Sequence, residues 1–167
     1  MRKNIKLLPS CAVFDEMETP VGVLSIVASN EGLHAICWES EKVSNLPLSK
    51  NHATILETKR QLSEYFLGTR KKFDLPLVPK GTFFQLQTWQ ILGAIPYGTT
   101  LSYGEQAYKL GDKNKARAVG MANSQNPISI IIPCHRVVGR HGNLTGFAGG
   151  LSCKAWLLNH EKQFLGE

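Results

Sequence analysis

The sequence predicts an α+β chain in two parts, with short antiparallel strands first and helices second. Three observations predict it. Turn residues at Thr19-Pro20-Val21-Gly22 and Ser29-Asn30-Glu31-Gly32 separate β-branched, apolar runs at hairpin spacing. Val78-Pro79-Lys80-Gly81 reads as a linker near the midpoint. Beyond it, Ser102-Tyr103-Gly104-Glu105 carries the chemistry of a helix start. The expected division is residues 1–79 and 80–167.

In the first part, Ala12–Glu18, Val23–Ala28 and Leu33–Trp38 are expected strands of a meander. Glu41–Asn51 is polar and expected as a loop. Thr54–Phe66 places Ile55, Leu62, Tyr65 and Phe66 at helical spacing and stops at Gly68. Arg70-Lys71-Lys72 fits a solvated turn.

In the second part, Phe84, Leu86, Trp89 and Leu92 anchor a helix that ends before Pro96-Tyr97-Gly98. The Ser102 hydroxyl can accept from the Glu105 amide, and the Glu105 carboxylate from the Ser102 amide. A helix therefore runs from Tyr103 to Leu110, and Gly111 ends it. Asn114 is placed to cap the next helix, Lys115 to Ser124. Two short helices across a tight glycine turn form a helix-turn-helix. Its second helix carries Lys115, Arg117 and Asn123, all able to meet DNA. Asn126-Pro127 breaks it. The apolar run Ile128–Ile132 is expected as a buried strand leading to Cys134. Ser152 is expected to cap a last helix, Cys153 to His160, with Trp156 and Leu157 in the core.

With 167 residues and 43% hydrophobic content, the chain is globular rather than disordered. The net charge of +6 is uneven. Residues 1–79 hold ten Lys/Arg against nine Asp/Glu, whereas residues 80–167 hold nine against four. A pI near 9.2 suggests a polyanionic partner, with a solvated basic surface as the plain alternative. Cys11, Cys37, Cys134 and Cys153 are scattered and form no disulfide framework. His34, Cys37 and His52 lack a zinc-ligand rhythm, so no metal and no cofactor is expected. Arg2, Lys3 and Lys6 before Leu7-Leu8 hint at a secretion signal, but the apolar core is too short and Asp15-Glu16 follow at once. No stretch approaches the roughly 20 apolar residues of a membrane span. The expected setting is intracellular, with reduced thiols.

The chemistry concentrates at Pro133-Cys134-His135-Arg136. A thiol needs a nearby base or cation to ionise at neutral pH, and both follow Cys134 directly. Cys134 is therefore the expected nucleophile; a buried core cysteine is the bland alternative.

Pro133-Cys134-His135-Arg136-Val137 resembles the active-site motif of the O6-alkylguanine-DNA alkyltransferases. Phe84-Gln85 with Trp89, Ile95-Pro96-Tyr97-Gly98, Ser102-Tyr103-Gly104, Ala116-Arg117-Ala118-Val119-Gly120, Asn126-Pro127, Gly149-Gly150 and Trp156-Leu157-Leu158 with His160-Glu161 match the family in order and spacing. The resemblance is nearly continuous from Phe84 to Glu161 and looser in the first half. It implies a ribonuclease-H-like N-terminal α/β domain and a helical C-terminal domain with a helix-turn-helix. It implies single-use repair of double-stranded DNA: Cys134 takes the alkyl group from O6 of guanine, with O4-alkylthymine left open. The expected partner is duplex DNA with alkylated bases, the expected state a monomer without membrane contact. The expected compartment is the cytoplasm, or the nucleus in a eukaryote.

The resemblance also assigns roles. His135 and Glu161 complete a relay that reaches Cys134 through a water. Tyr103 gives a proton to the leaving base. Arg117 fills the gap left by the flipped nucleotide, with Lys115, Ala116, Tyr103 and Asn123 along the DNA. Asn126 is a hinge, and Pro133, Val137, Phe147, Ala148 and Gly149 form the pocket wall. Two positions depart from the commonest pattern. Phe147 stands for a tyrosine, so a phenolic hydrogen bond is lost while the Ala148 amide can still donate. Gln106 stands at a usually apolar position of the first helix. A lesion sensor that binds alkylated DNA without repairing it is the alternative function, but such proteins replace the cysteine. An unrelated Cys–His hydrolase would need an oxyanion hole and a directly paired base, and adjacent Cys134-His135 suits neither.

Overall fold

The computed structural model describes residues 7–166, Lys42 and Ser44 excepted. Arg2, Lys3 and Lys6 lie outside the described residues. The chain divides into two compact units, residues 1–80 with 127–129 and residues 81–126 with 130–167. The short piece 127–129 thus counts with the first unit, although it follows the expected boundary by almost fifty residues.

The first unit is built on a three-stranded antiparallel sheet, β1 (Val13–Thr19), β2 (Gly22–Ser29) and β3 (Gly32–Trp38), in that order. Every residue of β3 is buried. A strand buried on both faces loses the alternation of a half-exposed one, as Leu33-His34-Ala35-Ile36-Cys37-Trp38 does. Helix α1 (Ala53–Phe66) packs on β1 and β2 and buries Ile55, Leu62 and Tyr65. Ala12, Val27, Ala35, Cys37 and Val43 form a further cluster. Both sheet edges are covered. Phe14 pairs with Leu48 on one side, and Leu33 with Leu77 and Ile36 with Ile128 on the other. Such pairing shortens the open edge available to another chain. Gly32 is required there: its φ is +141°, and a Cβ would lie 2.3 Å from the Pro76 carbonyl.

The second unit is mostly helical. Helix α2 (Phe83–Gly93) starts at a capping box between Thr82 and Gln85. A two-residue strand, β4 (Leu101–Ser102), leads into α3 (Tyr103–Lys109), whose Ser102–Glu105 capping box is formed in both directions. Gly111 then takes φ +94°. The expected Asn114 cap is corrected. Asp112 accepts from the Asn114 amide and starts a 3-10 turn over Lys113–Lys115, and α4 (Ala116–Ser124) follows with no side-chain cap. The expected strand over Ile128–Ile132 is also corrected. Ile128 makes one bridge to β3, and the chain then turns, with Ile130 at φ 73°. The Asn126 amide holds the Ile132 carbonyl at 2.7 Å. The apolar run records burial, since all five residues are buried, and not extended chain. β5 (Val137–Val138) pairs in parallel with β4. Helix α5 (Leu151–Gln163) begins after Gly150 at φ 88°, so Ser152 lies inside it and is not its cap.

His34 is buried in the first unit, its Nε2 2.7 Å from Ser29 Oγ and its Nδ1 3.3 Å from the Val78 carbonyl. A neutral ring satisfies both, with Nδ1–H donating to Val78 and Nε2 accepting from Ser29. Burial holds its pKa below the usual 6.5. Below that pH the unfolded chain takes up a proton that the folded ring resists, so stability falls as the medium acidifies. Between pH 7.5 and 5.5 the thermal midpoint should drop, and His34→Gln should flatten part of that slope. An identical slope in the variant would show that His34 contributes nothing to it.

Candidate active site

Cys134, His135 and Arg136 form a 3-10 turn directly after Pro133, and all three are buried. Cys134 and His135 are thus neighbours within a turn and not within extended chain. On one side stands Glu161 of α5, wholly buried. Its Oε1 lies 2.7 Å from His135 Nε2 and accepts from Arg136 Nη2 at 3.0 Å. Its Oε2 accepts from Arg136 Nε at 2.9 Å and from the Gly98 amide at 2.9 Å. Arg136 Nη1 donates to the Ile95 carbonyl at 2.7 Å, and its guanidinium lies over the Tyr97 ring.

These contacts assign the protons. Burial pushes the Glu161 carboxyl up, but the bonds from His135 and Arg136 outweigh it and hold it well below the usual carboxylate range. Glu161 is therefore an anion that accepts from His135 Nε2–H. Burial also lowers the His135 pKa more than Glu161 raises it, with Arg136 and Lys154 adding to the fall. The ring is neutral, and Nδ1 carries its lone pair. Nδ1 has no hydrogen-bond partner among the described residues. A buried imidazole so arranged is a base with one free acceptor.

Lys154 was not singled out by sequence reasoning. It is fully buried on α5, and its Nζ donates to the Val137 carbonyl at 2.6 Å and the Thr145 carbonyl at 2.9 Å. Burial pulls its pKa down, and negative charge at Cys134 pulls it back up. Lys154, Leu157 and Glu161 fall on one face of α5, and that face is buried. Tyr103 lies beside it, with the Lys154 ammonium 5.9 Å from its ring. The Tyr103 hydroxyl donates to the Thr145 carbonyl at 3.4 Å. Burial raises its pKa, Thr145 opposes, and Cys134 adds to the rise, so it keeps its proton. Phe147 is half-buried, 6.5 Å from the His135 ring and edge-on to it. Val137 is buried, Gly149 is half-buried and Ala148 exposed.

On α4, Lys115 just before the helix and Arg117 within it are exposed, while Ala116 is half-buried. The expectation that Asn123 meets DNA is corrected. Its side chain is buried and paired with Gln106 of α3, because position 123 falls on the face that carries Val119 and Ala122. A concavity of about 910 Å³ has Leu101, Tyr103, Glu105, Tyr108, Lys113 and Arg140 among its lining residues. No helix among the described residues is long and apolar enough to cross a membrane.

Residues 83–163 match the model of the 6-O-methylguanine DNA methyltransferase DNA-binding domain, and residues 13–79 that of the family's ribonuclease-like domain. A methylated-DNA–protein-cysteine methyltransferase of Methanosarcina acetivorans is 45% identical over 86% of this chain and 94% of that protein. The constitutive methylated-DNA–protein-cysteine methyltransferase of Bacillus subtilis is 43% identical over 87% of this chain and 92% of its own length. The crystal structure of Mycobacterium tuberculosis OGT in complex with DNA superposes with a TM-score of 0.85 at 38% identity, covering 90% of this chain and 93% of that one. With both halves matched and the relatives covered almost end to end, this chain belongs to the 6-O-methylguanine DNA methyltransferase family.

Proposed function

We propose that this chain repairs DNA by moving an alkyl group from O6 of guanine to the sulfur of Cys134, once per molecule. The observation that carries the reading is the His135–Glu161 pair beside Cys134, with Nδ1 of a neutral ring left as the available base. The Cys134 thiol gives its proton to Nδ1 through an intervening water. The thiolate then attacks the alkyl carbon. A sulfur–carbon bond forms as the carbon–O6 bond breaks, and Tyr103, which holds its proton, donates it to the departing guanine. Glu161 keeps the ring in the tautomer this needs and stabilises the imidazolium once formed. Lys154 adds a buried positive charge that favours thiolate over thiol.

The target atom is inside a duplex, so the nucleotide is flipped out before it can react. Arg117, exposed on α4, enters the space left behind, and Lys115 and Ala116 lie along the backbone. Val137, Pro133, Phe147, Ala148 and Gly149 wall the pocket, and Asn126 ties the end of α4 to the turn that carries Cys134. The partner is double-stranded DNA with alkylated bases, and the protein acts as a monomer in the cytoplasm, or in the nucleus of a eukaryote. Residues 1–79 serve as a companion domain to the reacting domain, 80–167.

Cys134→Ser should abolish alkyl uptake while duplex binding persists, because a hydroxyl is far less ionised than a thiol at neutral pH. Intact mass after incubation with a methylated duplex should rise by one methyl in the native chain and by none in the variant. A tenth of the native rate in the variant, or a gain of mass elsewhere, would remove Cys134 from the role.

Arg117→Ala should slow repair of duplex DNA much more than reaction with free O6-benzylguanine, which needs no flipping. Single-turnover rates on the two substrates give the comparison. Equal losses would assign Arg117 to the pocket or the fold.

Phe147→Tyr should change the methyl-transfer rate by about tenfold or less, since one neutral hydrogen bond is worth roughly 0.5–1.5 kcal/mol. Phe147→Ala should cost more through lost packing against the base. A hundredfold gain in the tyrosine variant would mean that the native pocket is impaired, and would favour the lesion-sensor alternative.

A further inference from the structure

Gln106 and Asn123 are buried polar side chains with no part in the chemistry above. They face each other from α3 and α4. Asn123 Nδ2 donates to Gln106 Oε1 at 2.8 Å, and Gln106 Nε2 donates to Asn123 Oδ1 at 3.2 Å. The same Nε2 lies 3.2 Å from the Thr88 carbonyl of α2. Trp89, also on α2, donates its indole N–H to the Ala122 carbonyl at 2.9 Å. The last turn of α4 is thus tied to both neighbouring helices by directional bonds. An apolar contact tolerates a small slide of one helix on another. A reciprocal amide pair does not, because any slide leaves a buried donor or acceptor unmade. A single buried polar contact between helices is a known way to fix their register.

The consequence falls at the opposite ends of the two helices. Tyr103 stands one turn before Gln106 on α3, and Arg117 stands six residues before Asn123 on α4. The helices run close there: a Cβ on Gly120 would sit 3.6 Å from the Tyr103 ring. A rotation of α4 about its tied end would move Arg117 and Tyr103 relative to each other, while Cys134, His135 and Glu161 would stay in place.

We infer that Gln106 and Asn123 form a positioning pair that sets the reach of Arg117 from Tyr103, so that duplex DNA meets both at once. The inference rests on the reading of α3 and α4 as the DNA-contacting helices. Single-turnover rates, scaled to titratable Cys134, test it on a methylated duplex and on free O6-benzylguanine. Gln106→Met keeps the volume and removes the pair; it should slow the duplex reaction at least tenfold and leave the free-base reaction within twofold. The exchange Gln106→Asn with Asn123→Gln restores a reciprocal pair and should recover most of the duplex rate, which neither single change does. Should Gln106→Met fail to fold, the exchanged pair and its single parents decide the matter. The inference is overturned if Gln106→Met slows both substrates by the same factor or neither, or if the exchanged pair reacts with duplex no faster than its parents. Arg117→Ala separates the two levels. If it too lacks a duplex-specific loss, the reading of the helices fails; if it has one and Gln106→Met does not, only the positioning role fails.

Discussion

The site depends on one buried anion. Glu161 reaches from α5 to two other segments, the turn that carries Cys134 and the turn at Gly98. Removing one partner of such a buried pair costs roughly 3–5 kcal/mol, because the other charge is left uncompensated. Here the compensation is nearly complete: two nitrogens of Arg136, one of His135 and one backbone amide supply the carboxylate's four lone-pair directions. The Gly98 contact explains a local sequence requirement. Gly98 sits at φ +73°, and a Cβ there would meet the Leu165 side chain at 2.6 Å. Ile95-Pro96-Tyr97-Gly98 is therefore the strap that closes the anion site. Its Ile95 carbonyl fixes the far end of Arg136 and its Gly98 amide fixes Glu161.

Charge balance follows from the same arrangement. If Glu161 had His135 as its sole partner, the pair would favour an imidazolium, and the base would already be spent. Burial is the main reason that the ring stays neutral and can still accept a proton, and Arg136, which shares the anion, adds to it. The second cation, Lys154, has no carboxylate at its ammonium among the described residues and is held by two main-chain carbonyls. A lysine kept in this way costs stability unless negative charge develops nearby. The thiolate of Cys134 is that charge. The surroundings thus favour the reactive form of the sulfur, with a base that becomes charged only when the sulfur does.

How much of this was legible in the sequence depends on whether the signal was local. The meander was, because its turns are written at fixed offsets, and so was the Ser102–Glu105 box. The equivalent box at Thr82–Gln85 is less legible, because it overlaps the apolar anchors that begin at Phe84. Ile128–Ile132 was misread for a physical reason: β-branched, apolar residues serve a buried turn as well as a buried strand when a side chain supplies the missing bonds. Asn126 does so for the Ile132 carbonyl. Cys134 and His135 were legible from chemistry alone, whereas Glu161 needed the family resemblance, since nothing in its own neighbourhood says that it is buried. Lys154 and the partner of Gln106 needed three dimensions. An isolated lysine or glutamine in a helix reads as solvent-facing, and only the packing of a second helix reveals otherwise.

Ile130 shows what the misread turn costs. A β-branched residue at φ 73° is a genuine outlier, since its branched side chain crowds the backbone there. Such strain is typically about 1–3 kcal/mol and persists only where its surroundings over-determine it. They do so here from both directions along the chain. Upstream, Pro127–Ser129 is committed to the first unit: the Pro127 carbonyl accepts from the Ile36 amide at 2.9 Å, and Ser129 Oγ accepts from the Trp38 indole at 3.2 Å. Downstream, the Asn126 amide fixes Ile132, and the Ile132 carbonyl also receives the Cys134 amide at 2.9 Å. Between these anchors the chain turns at Ile130. A glycine would relieve the strain, but it would also free the turn and remove a wholly buried side chain four residues before Cys134. The isoleucine restricts the turn that leads to Cys134, whose neighbours are a neutral imidazole at His135 and the buried ammonium of Lys154.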